Sequence, residues 1–127
     1  MQDTKICIID DNPAVCESLR FLFESVDGSK VEIYMTAMAF LEKFSSEWIG
    51  CLIVDFFMPS LNGIELMKEL KKRNNRMGVV MICGNGTPEI EACSLTAGAE
   101  AFMSKPFHID KLLGIVKTIT AKQNMLS

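Results

Sequence analysis

Five short runs of nearly unbroken apolar residues punctuate this chain: KICII (5–9), VEIYM (31–35), CLIV (51–54), GVVMIC (78–83) and AFM (101–103). They are rich in Ile and Val and lack strict alternation, as expected of strands covered on both faces. Between them the period changes to that of helices. Residues 13–26 place Val15, Leu19, Leu22 and Val26 on one stripe, widened by Cys16 and Phe23. Asn12 is placed to cap this helix and Pro13 suits its first turn. Thr36 caps a second helix over about 37–45, and Asn62-Gly63 leads into a third over about 64–73. Thr87-Pro88 opens a fourth that ends near Gly98. The last, over about 108–122, carries Ile109, Leu112, Leu113, Val116 and Ile119 on its buried stripe.

Five β-α units in succession predict a parallel sheet with right-handed crossovers and helices on both faces, a three-layer α/β sandwich. The 127 residues suit one domain, predicted over 1–122, with AKQNMLS leading out into a short tail at 123–127. A hydrophobic content of 49% is enough for a real core and too high for disorder.

Charge changes the picture little. The net charge is -3 with both signs mixed, so neither a nucleic-acid surface nor an anionic membrane is an expected partner. The basic stretch KELKKRNNR (68–76) reads as the solvated end of a helix, where cations complement the dipole. No apolar run approaches the roughly 20 residues that span a bilayer, and the start has no signal-peptide pattern. The five cysteines, Cys7, Cys16, Cys51, Cys83 and Cys93, are odd in number and form no C-x-x-C. With a single histidine, His108, they make no zinc site and read as small core residues of a soluble, cytoplasmic protein. His108 itself reads as a surface residue.

Candidate chemistry collects at the carboxyl ends of the predicted strands, where open α/β sheets bind ligands. The first strand runs into Asp10-Asp11, the third into Asp55, the fourth into Cys83-Gly84 and the fifth into Lys105-Pro106. Two like charges about 4 Å apart repel by about 4 kcal/mol at an effective dielectric of roughly 20. Three carboxylates on one rim therefore call for a hard divalent cation, and Mg²⁺ suits a few carboxylates plus waters. Taken singly, each piece has a plainer meaning: a helix-polarising pair, an exposed strand-end acid, a turn. Their convergence on one edge is what favours a site.

On these residues the chain resembles the receiver domain of two-component response regulators over its full length. The motifs are IIDDN, VDFFMPSLNGIEL, MICGNG and FMSKPF. The resemblance implies a flavodoxin-like, five-stranded parallel sheet of order 2-1-3-4-5 sandwiched by five helices. It implies that Asp55 accepts a phosphoryl group from a phosphohistidine. Asp10, Asp11, Asp55 and the backbone carbonyl of Phe57 would hold Mg²⁺, and Lys105 would pair with the phosphoryl oxygens. The implied partners are a sensor histidine kinase or phosphotransfer protein and an unknown output protein. The output protein would be met by the face of the fourth helix, fifth strand and fifth helix. A homodimer through that face is also consistent with the resemblance. The chain would be a signalling phosphoacceptor with slow autodephosphorylation, not an enzyme.

One position departs from the family pattern. Thr or Ser is expected at 83, and Cys83 stands there. The family's hydroxyl donates to a phosphoryl oxygen and moves toward it, which lets the aromatic residue of the fifth strand, here Phe102, turn inward. A thiol is a weaker donor, so phosphorylation without a strong conformational response is expected. A redox role for the thiol is the sharper alternative, opposed by the nearby acids. Phe57 and Asn85 flank the approach of a hydrolytic water, and a bulky Phe57 should lengthen the phosphoryl lifetime. The competing function is a non-switching interaction module with the same fold. An aspartate-nucleophile phosphatase would want a second acid where Phe57 stands. A flavodoxin would want hydroxyls and backbone N–H groups in place of the DDNPA carboxylates.

Overall fold

The computed structural model describes residues 4–106 and 108–126; within helices, the side chains of residues 26, 27 and 126 fall outside that description. Strands β1 (Lys5–Ile9), β2 (Val31–Tyr34), β3 (Gly50–Asp55), β4 (Gly78–Cys83) and β5 (Ala101–Ser104) alternate with helices α1 (Pro13–Asp27), α2 (Ala37–Lys43), α3 (Gly63–Lys72), α4 (Pro88–Thr96) and α5 (Ile109–Leu126). All strand pairs are parallel, and the sheet order is β2-β1-β3-β4-β5.

The pleat sorts the core into two halves. Cys7, Ile9, Leu52, Val54, Val79, Met81 and Cys83 face α2, α3 and α4, packing with Phe40, Leu66 and Leu70. Their neighbours Ile6, Ile8, Cys51, Ile53, Val80 and Ile82 face α1 and α5, packing with Cys16, Leu19, Phe23, Leu112, Val116 and Ile119. Burial on both faces is why the strand sequences are apolar without alternation.

Each expected cap is formed. The Asn12 side chain accepts from the N–H groups of Ala14 (2.9 Å) and Val15 (3.4 Å), and Thr36 accepts from Ala39 at 3.0 Å. Thr87 accepts from Ile90 at 3.2 Å. Asn62 and Glu65 form a reciprocal capping box, each side chain accepting from the other's N–H at 2.9 Å. α1 ends on Gly28 in the left-handed conformation (φ 65°), its N–H bonded to the Phe23 carbonyl.

Three expectations need correction. Ile109, placed on the buried stripe of the last helix, is 54% exposed, because it begins α5 before that helix meets the sheet. Cys93, taken with the other cysteines as a core residue, is exposed on α4, of which only Ser94 is buried. The last helix does not stop near 122 but continues to Leu126. Gln123 is the reason: its amide accepts from the Gly50 N–H (3.3 Å) and donates to the Arg76 carbonyl (2.7 Å), tying α5 to the start of β3 and to the loop before β4. Val26, expected on the stripe of α1, has its side chain outside the described residues, as do residues 1–3 and Ser127 at the ends of the expected domain and tail.

Candidate functional site

The carboxyl ends of β1 and β3 are neighbours because those strands pair in register, Ile9 opposite Val54. Asp10 follows β1 and is fully buried; Asp55 ends β3 at 6% exposure; Asp11 is exposed. A carboxylate oxygen from each of Asp10, Asp11 and Asp55 lies within 4.8 Å of the others. Lys105, one residue past β5, reaches back across the sheet. Its Nζ donates to Asp10 Oδ2 at 3.0 Å and lies 3.7 Å from Asp55 Oδ2.

Each group is held from behind. Asp10 N–H donates to the Tyr34 carbonyl (3.2 Å), and Asp10 Oδ1 accepts from the Asn12 N–H (2.9 Å). The Lys105 N–H donates to the Cys83 carbonyl at 2.8 Å, which fixes the base of that side chain against the end of β4. The Asp55 carboxylate accepts from the Phe57 N–H. The Phe56 N–H donates to the Ile82 carbonyl, and the Phe56 carbonyl accepts from Gly63, so the turn that carries Phe57 is pinned at both ends.

The electrostatics follow from this crowding. Burial, then the charge of Asp10, raises the Asp55 pKa from 3.8 to about 6, against the pull of Lys105 and the Phe57 N–H. For Lys105 burial works against the charged form. The hydrogen bond and charge of Asp10, together with the charges of Asp55 and Asp11, outweigh it and hold the ammonium above its ordinary value. The rim is therefore one fixed cation facing three carboxylates. Its donor set, three carboxylates with no sulfur or imidazole among them, fits a hard divalent cation such as Mg²⁺.

The other expected residues lie around this cluster. Phe57 is 52% exposed, its ring edge-on to Phe56 at 4.9 Å, so it stands at the mouth of the site. Asn85 is exposed in the turn after β4. Cys83 is fully buried on the α2–α3–α4 side, among the group that contains Phe56, Met58 and Met81. Asp55 continues the alternation of Cys51 and Ile53 toward the opposite side. The thiol and the acid thus leave adjacent strands on opposite faces. Phe102 is half-buried against the same core group as Cys83, and its ring lies over Gly86. A Cβ at Gly86 would come within 2.8 Å of Phe102 Cζ, so the absence of a side chain there is what admits the ring. His108 is exposed.

Two features were not anticipated from sequence. Lys105 is bonded more closely to Asp10 than to Asp55, a pairing 95 residues apart for which no local signal exists. The Cys16 thiol donates to the Asp10 carbonyl at 3.2 Å. Burial, with the charges of Asp10 and Glu17, raises the Cys16 pKa and keeps the thiol protonated.

Comparison with known proteins agrees with this geometry. The sequence model of the response regulator receiver domain matches residues 6–117. The response regulator protein TmoT of Ectopseudomonas mendocina is 34% identical over 117 residues, covering 92% of this chain and 53% of TmoT. Among solved structures, response regulator StyR superposes with a TM-score of 0.89 at 31% identity, over 98% of this chain and 62% of StyR. A CheY-like receiver domain protein from Methanospirillum hungatei JF-1 superposes with a TM-score of 0.85 at 31% identity, over 99% of this chain and 100% of that one. The chain spans about half the length of curated relatives such as TmoT. Among the described residues no helix is long and apolar enough to cross a membrane.

Proposed function

The chain belongs to the response regulator receiver family, and from that premise we propose that Asp55 accepts a phosphoryl group from a phosphohistidine. The observation that carries the proposal is the meeting of Asp10, Asp11 and Asp55 within 4.8 Å, with Lys105 against two of them. A carboxylate oxygen of Asp55 would form the new O–P bond as the donor's N–P bond breaks and the imidazole leaves. Such transfers ask mainly for positioning and for cations near the equatorial oxygens. Bound Mg²⁺ would supply most of that positive charge. Asp10, Asp11, Asp55 and the Phe57 carbonyl would hold it, and the Lys105 ammonium would move from Asp10 toward the incoming oxygens.

The donor would be a sensor histidine kinase or a phosphotransfer protein. An apolar groove of about 530 Å³ opens beside Lys105, walled by Ala14, Val15, Leu22, Pro106 and Ile109, and suits an apolar helix of that donor. Output would pass through the α4–β5–α5 face, to a partner protein or a second copy of the chain. The setting would be the cytoplasm, where phosphohistidine donors of this class act.

The test is intact-protein mass after incubation with acetyl phosphate, with and without Mg²⁺, and with Asp55→Asn as control. A single phosphoryl adduct that needs Mg²⁺ and Asp55 is expected. No adduct from acetyl phosphate or from a histidine kinase would overturn the proposal in favour of a non-switching interaction module.

Lifetime is the second property of this site. The exposed Phe57 ring at its mouth, with Asn85 on the facing turn, narrows the path of a hydrolytic water. Replacing it by an amide should open that path and help orient the water. Phe57→Asn is expected to dephosphorylate about two- to tenfold faster, well below the roughly hundredfold or more of a general acid or base, because the amide orients the water without taking its proton. The measurement is adduct mass against time after donor removal, and a slower or unchanged decay would contradict the screening role.

A further inference from the structure

We infer that Cys16 is a positioning residue for the paired acids of the site. Asp10 is fully buried, so each of its polar atoms needs a partner inside the protein. Its N–H goes to β2 through the Tyr34 carbonyl, Oδ1 to the Asn12 N–H, and Oδ2 to Lys105. Its carbonyl lies past the end of β1 and receives the thiol of Cys16 at 3.2 Å. That carbonyl belongs to the planar peptide joining Asp10 to Asp11. Holding its oxygen therefore fixes the orientation between the two acids.

Cys16 is well placed to act as this anchor. It sits in the first turn of α1 at 1% exposure, and its own N–H is bonded to the Asn12 carbonyl at 3.1 Å. The Asn12 side chain caps the same turn, and the Asn12 N–H holds the Asp10 carboxylate. Helix start, peptide plane and carboxylate thus form one closed set of hydrogen bonds. The thiol is the member whose loss frees the peptide plane while leaving the cap intact. Its effect on a metal ion rests on the reading of the site as a Mg²⁺-dependent phosphoacceptor; its effect on the loop does not.

The experiment compares Cys16→Ala with Cys16→Ser, which remove nearly the same volume and differ in the donor. Mg²⁺ affinity is read by titration, and Asn12 amide exchange is read by NMR without metal. The alanine variant should bind Mg²⁺ about three- to tenfold more weakly and exchange Asn12 about as much faster, with serine within about twofold of the unsubstituted chain, as expected for one lost hydrogen bond. If alanine disrupts folding, the pair Cys16→Val and Cys16→Thr, matched in shape, gives the same contrast. Equal exchange and equal affinity within a pair would overturn the positioning role. A chain that binds no Mg²⁺ in any form, yet loses Asn12 protection only in the donor-lacking variants, would support the positioning role and overturn the metal reading.

Discussion

In metal-free buffer at pH 7, Asp55→Asn is expected to make the protein more stable, not less. The aspartate is 6% exposed and faces the charge of Asp10, which together with burial raises its pKa from 3.8 to about 6. Its folded-state pKa lies above the unfolded one. Its contribution to stability is therefore fullest below about pH 4 and is lost as pH rises through about 6. At pH 7 the folded chain carries an ionised group that the site disfavours by about 2–3 kcal/mol, taking roughly 1.4 kcal/mol per pKa unit. Asparagine keeps the shape and removes the charge. For a domain of this size the gain corresponds to roughly 10 °C in Tm.

The gain should shrink to about 1 kcal/mol near pH 4.5, where the native aspartate is already protonated and only the unfolded one is ionised. It should also shrink on adding Mg²⁺, which stabilises the unsubstituted chain by mass action and the variant less. Thermal melts at both pH values, with EDTA and with Mg²⁺, test this directly. An asparagine variant that is no more stable at pH 7, or whose advantage grows toward acid, would show that Asp55 is not held at a cost in the resting protein. A phosphoacceptor has reason to sit there: a carboxylate made uncomfortable by its neighbours has more to gain from a cation and a phosphoryl group.

Much of this site is legible in the order of residues along the chain, and the reason is topological. Parallel β-α units send every strand end to one edge. Knowing that strands run into Asp10, Asp55 and Lys105 is then enough to bring those residues together, while Cys83 reaches the same edge on the other face. The cap residues Asn12, Thr36, Asn62 and Thr87 mark the helix starts in the same way, because a cap is a local hydrogen bond written into adjacent residues. What is not legible depends on contacts remote in sequence. Gln123 keeps α5 helical past 122 through Gly50 at the start of β3 and Arg76 in the loop before β4. The preference of Lys105 for Asp10 is a competition between two acids that only the distances of 3.0 and 3.7 Å decide. Periodicity puts Ile109 on a buried stripe, but it does not report where along a helix the sheet ends. For Cys83 the sequence raises the right question without the orientation that makes it answerable.

That orientation sharpens the expected effect of Cys83→Thr. The thiol is fully buried in an apolar group with Phe56, Met58 and Met81, and Phe102 packs against the same group with its ring over Gly86. A thiol is at ease there, so nothing presses the end of β4 to rearrange. A threonine hydroxyl in the same place lacks a strong partner, and burying it unpaired disfavours the resting state by about 1–3 kcal/mol. Turned toward the rim by a shift of the β4–α4 loop, it can donate to a phosphoryl oxygen on Asp55. A hydrogen bond to a charged group contributes about 1.5–3 kcal/mol. The second term alone should move the switching equilibrium by about ten- to a hundredfold, and the first adds to it in the same direction. Cys83→Val is the control, matching threonine in shape without the hydroxyl. Beryllium fluoride can serve as the phosphoryl mimic. The readouts are the Tm gained on loading and the NMR signals of the Phe102 ring, whose contacts with Gly86 should be lost as it turns inward. The threonine variant should start about 1 kcal/mol less stable, as for a buried hydroxyl without a partner, and gain more on loading than either the cysteine or the valine form. Equal gains in all three would mean that the residue at 83 does not limit the response. The loop at Gly86, where the Phe102 ring is seated, would then be the element that sets it.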